Sequence, residues 1–179
     1  MIEAFKMLNN DAIGLHPLYV DTEETIPTGI WLKAKPGKTD NGKVISRLGP
    51  LSYRPGWHLS AAPFAPHIGI KVNGKIRYMH DNAVWALCKV YDEIDYTPEA
   101  HANGVHRNGK FVARDACLKR IPAGGFYWYN TNPNAYGDWL IAELMMVERI
   151  LSDKEVAKIC WEQFGIIAMP HRPGKEFVA

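Results

Sequence analysis

The segment Trp139-Leu-Ile-Ala-Glu-Leu-Met-Met-Val-Glu-Arg-Ile-Leu151, followed at once by Ser152-Asp-Lys-Glu155, decides the fold class. Leu, Ala, Glu and Met favour helix, yet the apolar residues would fall on every face of one, a pattern that also describes a central strand covered on both sides. The flanks favour the strand. Asp138 leads in from a Gly-containing turn, and Ser152 with Glu155 forms a capping box in which Ser152 accepts from the third helical amide while Glu155 reaches back. A helix starting there runs to about Phe164 and stops at Gly165, which suits the left-handed terminal position.

Working outward, Thr28–Ala34, Ala83–Tyr91 and Phe126–Tyr129 read as strands, rich in β-branched and aromatic residues, and the last is closed by the turn-forming Asn130-Thr-Asn-Pro-Asn134. Three Asn-Gly-Lys triplets begin at Asn41, Asn73 and Asn108, and Asn103-Gly104 adds a fourth Asn-Gly pair. Asn-Gly suits the positive φ angles of type I′ turns, so each marks a candidate hairpin. Ile68–Met79, alternating on both sides of its turn, is the best of them. Met1–Leu8 is expected to form a short N-terminal helix. These elements predict one α+β domain over residues 1–179, a curved, mostly antiparallel sheet with one or two flanking helices. A flexible basic tail is expected from about residue 168 to 179, including His171-Arg-Pro-Gly-Lys175.

At 179 residues and 47% hydrophobic content, the chain has enough apolar surface for one substantial core and is short for two domains. Lys and Arg number 21 against 19 Asp and Glu, a near balance that disfavours long non-specific DNA tracking but leaves room for a local basic groove. Cys88, Cys117 and Cys160 are odd in number and far apart, with no C-x-x-C spacing, which suggests neither a disulfide framework nor a zinc knuckle. A reducing, cytoplasmic compartment fits. No apolar run approaches a membrane span, so a soluble, unprocessed protein with no membrane partner is expected.

Chemistry concentrates in Ser52-Tyr-Arg-Pro-Gly-Trp-His-Leu-Ser-Ala-Ala-Pro-Phe-Ala-Pro-His-Ile68, where three prolines and a glycine hold titratable groups on irregular backbone. His58 can exchange a proton near neutral pH, and Arg54 can neutralise a phosphate or carboxylate with its bidentate fork. His58 and Ser60 share a face if this piece is extended. The alternative is a partly buried His58 satisfied by backbone, with Trp57 as core. Tyr53 completes the cluster. His67 and His80 flank the predicted hairpin, so either could supply the second imidazole of a metal-independent ribonuclease; alternatively both cap strand ends.

Glu143, in an otherwise apolar segment, needs a partner; it could act as a base or orient a ribose, or be a salt-bridged structural carboxylate. Tyr127 and Tyr129 alternate with Phe126 and Trp128, so one face could be core and the other a platform for unpaired bases, with Arg114, Lys119 and Arg120 as nearby cations for RNA and Tyr136 and Trp139 as further flat faces. His101 and His106 lack zinc spacing, and the acidic run from Asp92 to Glu99 reads as a solvated turn, so no obligatory metal is expected, nor any cofactor. Gly-rich phosphate loops, nucleophile elbows and H-E-x-x-H are absent from the sequence, which takes support from triphosphate hydrolysis, α/β-hydrolase and metalloprotease chemistry.

Gly49-Pro-Leu-Ser-Tyr-Arg-Pro-Gly-Trp-His-Leu-Ser60, Val84-Trp-Ala-Leu87 and the blocks from Tyr129-Asn-Thr-Asn-Pro-Asn134 to Leu151-Ser-Asp-Lys-Glu-Val156 carry a resemblance over roughly residues 44–160. The chain resembles a family of phage and mobile-element proteins, found as accessory domains of large polyvalent proteins and as small free-standing proteins. The resemblance implies a counter-defence role in the host cytoplasm, of the anti-CRISPR or anti-restriction kind, and places a candidate site at Tyr53–Ser60. Some small anti-CRISPR proteins cut guide RNA. The expected partner is therefore RNA or an RNA-guided nuclease complex. The expected mechanism is endoribonuclease-like, with His58 and His67 or His80 as acid and base and Arg54 stabilising phosphorane charge. Two alternatives stand beside it: an ADP-ribosyltransferase-like enzyme holding NAD with Tyr53, Arg54, His58 and Ser60 and orienting its ribose with Glu143, and a non-catalytic steric inhibitor of a defence complex.

Overall fold

The computed structural model describes residues 1–65, 69–72, 75–78, 82–107, 110–112, 117–130, 138–168 and 170–171. In chain order the first strands are β1 (Ile2–Asn10), β2 (Leu15–Pro17), β3 (Trp31–Lys33), β4 (Thr39–Asp40), β5 (Lys43–Val44), β6 (Leu51–Ser52), β7 (Trp57–Ser60), β8 (Gly69–Val72), β9 (Lys75–Tyr78), β10 (Ala83–Val90) and β11 (Ile94–Asp95). Helix α1 (Thr97–Ala102), β12 (Val105–Arg107), β13 (Lys110–Val112), β14 (Gly125–Tyr129), β15 (Trp139–Ala142), β16 (Leu144–Ile150), α2 (Asp153–Phe164) and β17 (Pro170–His171) follow. The main sheet runs β11-β14-β15-β7-β1-β10-β16-β3, with β2 also on β1. Its pairings are antiparallel except β11 with β14.

One link shapes this sheet. β15 and β16 are separated only by Glu143, yet β7, β1 and β10 lie between them in the strand order. Four flat strand steps would span about 19 Å, whereas Ala142 and Leu144 can be at most about 7 Å apart. The sheet must therefore curl until its two halves meet at Glu143. The Glu143 amide donates to the Gly125 carbonyl on one side of the seam and its carbonyl accepts from Ala34 on the other. Glu143 is 9% exposed, and its carboxylate accepts from the Gly124 amide at 2.6 Å and pairs with Lys33 at 3.1 Å.

Period-2 alternation then sorts the side chains. Ala4 and Leu8 of β1, Ala86, Cys88 and Val90 of β10, Leu59 of β7, Leu140 and Ala142 of β15, and Met145 and Val147 of β16 form the core inside the curl. Phe5, Met7 and Trp85 face outward, where Val156 and Cys160 of α2 cover them. Tyr127, Tyr129 and Ile141 meet Ala100 of α1 and Leu118 in a third cluster.

The 139–151 segment is strand, broken at Glu143, and both its faces are packed. The capping box at Ser152 and the left-handed Gly165 (φ 63°) bound α2 as expected. The Asn41-Gly42 turn joins β4 to β5 with positive φ at both residues. Strands β8 and β9 pair as a hairpin, as do β12 and β13. The expectation of a helix over Met1–Leu8 is corrected: Ile2–Leu8 lies in strand β1. Ala, Met, Leu and Lys carry good helix propensity, but pairing over eight residues with β10 and burial on both faces outweigh it.

Gly56 presses against the seam with φ +139°; a Cβ there would lie 2.4 Å from Ile141 Cγ2 and 3.1 Å from the Ala142 carbonyl. Gly56→Ala is therefore expected to cost at least ~2 kcal/mol and to lower the melting temperature by about 4–8 °C, measured by calorimetry. Glu143→Gln is expected to flatten the acid limb of the stability profile. The Gly124 amide and Lys33 hold the Glu143 carboxyl below its usual range, so the wild-type contribution is present above the unfolded carboxylate pKa and is lost as pH falls through the lowered native value.

Candidate functional site: a cavity at the open edge of the first strand

Strand β1 changes partner along one edge. Phe5 pairs with Ser60 of β7, Leu8 pairs with Pro17 of β2, and Lys6 and Met7 lie at the gap between them. A cavity of about 570 Å³ opens there. Phe5, Met7, Trp85 and Trp139 line it from the outer side of the sheet, and Lys6 and Trp57 reach it from the inner side. Leu18–Asp21, Lys35, Val44 and Leu51 wrap around it. Ser52, Arg54, Pro55, Gly56, Trp57 and His58 form one wall. Three features keep that wall in place: Pro55 is buried, Gly56 rests on Ile141, and the Trp57 indole N–H donates to the Leu32 carbonyl at 2.9 Å.

His58 is half-buried, with Nε2 2.7 Å from the Arg54 carbonyl oxygen. A carbonyl only accepts, so Nε2 carries the proton and Nδ1 holds the lone pair in the neutral ring. Burial, opposed by this hydrogen bond and reinforced by the Lys6 and Arg54 charges, pushes the imidazole down to about 4. The ring is therefore neutral across physiological pH. The Arg54 guanidinium sits 5.2 Å from the Tyr129 ring centroid, and Tyr129 lines the cavity. Burial raises the Tyr129 phenol to about 12, so it stays protonated.

Lys6, which no sequence motif marks, lines the cavity with two other cations, Arg54 and the Glu24-paired Lys35. The Lys6 amine donates to the His58 carbonyl at 2.9 Å and lies 5.6 Å from the Trp57 ring centroid. Among the described residues no carboxylate pairs with it, and burial pushes the amine down to about 8. The available signal was a single charged residue inside the apolar run Ala4–Leu8, obscured by the expectation of a helix.

The other expected site residues lie elsewhere. His58 and Ser60 do share the outer face of β7, but Ser60 is buried, accepts from the Ala62 amide and does not line the cavity. Tyr53 is half-buried between two lining residues without lining the cavity itself. Glu143 is committed to the seam. Tyr127 is 0% exposed and Tyr129 5%, and their rings are 6.1 Å apart in the α1 cluster. The expectation that they form an open stacking platform is corrected, because α1 packs over the face of β14 that carries them. Arg120 is exposed but held by Glu99 through two hydrogen bonds and lies over Tyr96; Lys119 is exposed. His67, His80, Arg114 and Tyr136 lie outside the described residues, as do most residues of the expected tail.

No known protein family, curated protein or solved structure matches this chain. The cavity and its chemistry must therefore carry the functional argument. Among the described residues, no three His, Cys, Asp or Glu side chains converge as a metal site, and no helix is long and apolar enough to cross a membrane.

The depressed His58 value has a measurable consequence. The unfolded chain binds a proton near pH 6.5 that the folded ring refuses until about 4, so stability should fall as pH drops through that interval. Melting temperatures recorded from pH 7.5 to 4 should show a shallower decline for His58→Gln than for wild type; equal slopes would place the charge elsewhere.

Proposed function

We propose that this protein binds a nucleotide-sized unit in the β1-edge cavity, and that through this binding it serves a counter-defence role directed at a guide RNA or its nuclease complex. One observation carries the reading: Lys6 and Arg54 stand against aromatic faces inside a single cavity. The volume suits a small ligand. The half-buried indoles of Trp57 and Trp139 can stack on a base, and Lys6 and Arg54 can neutralise a phosphate. Strand ends or splayed nucleotides of single-stranded RNA present such units. The counter-defence part rests on the sequence resemblance.

His58 favours binding over cleavage in this reading. A ring that protonates only near pH 4 is a weak general base and is not an acid at neutral pH. NAD chemistry has less support, since the carboxylate assigned to the ribose is engaged at the seam by Gly124 and Lys33.

Guide RNA and a nucleoside monophosphate, titrated against tryptophan fluorescence, should bind, and Arg54→Ala should weaken both by about tenfold or more. The RNA should remain full-length on a gel. Shortened RNA whose formation is lost in His58→Ala would restore the nuclease reading. Absence of any binding, with wild-type protein folded, would sink the proposal.

A further inference from the structure

A lysine amine without a carboxylate partner is unusual in the middle of a sheet. Burial disfavours its charged form unless something compensates, and here the compensating contacts are one carbonyl, that of His58, and the face of Trp57. Neither fixes a full positive charge as a carboxylate would. Lys6 nevertheless is only half-buried and is one of the residues that line the cavity, so its side chain borders the space a ligand would occupy. Burial raises the nearby Cys88 thiol to about 12 and keeps it protonated. Of the other lining cations, Arg54 cannot lose its proton in water, and Lys35 is exposed, paired with Glu24 and held protonated by it.

We propose that Lys6 is a carbonyl-capturing amine, which condenses with a small aldehyde or ketone bearing its own anionic group to form an imine inside the β1-edge cavity. The inference is independent of the RNA reading, since it requires the amine and the cavity but no nucleotide. The unprotonated Nζ attacks the carbonyl carbon, forming a C–N bond while the π pair moves to oxygen, and a proton passes from nitrogen to that oxygen through cavity water. The carbinolamine then loses its hydroxyl as water, so amine and carbonyl compound give imine and one water with no further reactant. A protonated imine keeps one N–H, which can still donate to the His58 carbonyl, and its charge lies over Trp57. Among the described residues no carboxylate pairs with Lys6, so the ligand brings the anion, and Arg54 stands in the same cavity to receive it.

Burial supports the reactivity. With an amine pKa of about 8, roughly a tenth of Lys6 is free base at pH 7, against about one in three thousand for an ordinary lysine.

Glyoxylate and sodium cyanoborohydride at pH 7.5, followed by peptide mapping, test the proposal. Lys6 should become carboxymethylated at least about tenfold faster than the average surface lysine. The rate at Lys6 should rise to a plateau with a midpoint near pH 8. Propanal, which has no anion, should label Lys6 several-fold more slowly than glyoxylate. Lys6→Arg should lose the fast adduct while keeping a cooperative melt. If that variant fails to fold, the site and rate of labelling in wild type still decide. Labelling of Lys6 no faster than of surface lysines would overturn the proposal, and equal rates for propanal and glyoxylate would overturn the requirement for an anion. Nucleotide binding without fast labelling would remove this inference and leave the binding function standing.

Discussion

The architecture depends on a single residue of chain between β15 and β16. Because Glu143 must carry the backbone from the β7 side of the sheet to the β10 side, the sheet cannot lie flat. Curling creates an inside, and small side chains such as Ala4, Ala86 and Ala142 fill its tight centre alongside Leu8, Leu59 and Leu140. It also leaves a convex outside, which needs the two helices as cover. The backbone amide and carbonyl of Glu143 are satisfied from opposite sides of the seam, and its carboxylate is held by the turn before β14 and by a lysine of β3. A buried carboxylate is tolerable here because each charge-stabilising contact comes from an element that closure itself brings near.

Much of this was legible where local chemistry and tertiary demand agree. The Ser152 capping box, the Asn41-Gly42 turn and the alternating hairpin strands each specify their own geometry over a few residues. The N-terminal strand was not legible, because its composition suits helix and only the long-range register with β10 decides otherwise. The closure at Glu143 was invisible for a similar reason: strand order is a property of the whole chain, and a lone glutamate in an apolar run looks the same whether it faces a cleft or closes a seam.

The site divides along the same line. The stiff, polar wall from Ser52 to His58 stood out by its prolines, glycine and ionisable side chains, and most of it does line the cavity. Alternation separated Tyr127 and Tyr129 from Phe126 and Trp128, but it could not say that α1 would cover one of those faces. Lys6 depends on a gap in pairing at the edge of β1, which no short-range pattern encodes.

Gly56 joins these two parts of the molecule. It belongs to the cavity wall, yet it rests directly on Ile141 and Ala142, one residue from the seam. An occupant that fixes the wall therefore also restrains the place where the curled sheet closes. In thermodynamic terms, cavity occupancy and sheet closure are linked, each favouring the other by the same free energy. The empty protein would then open first at this joint, and hydrogen exchange along Ile141–Leu144 would report on a ligand that never touches those residues.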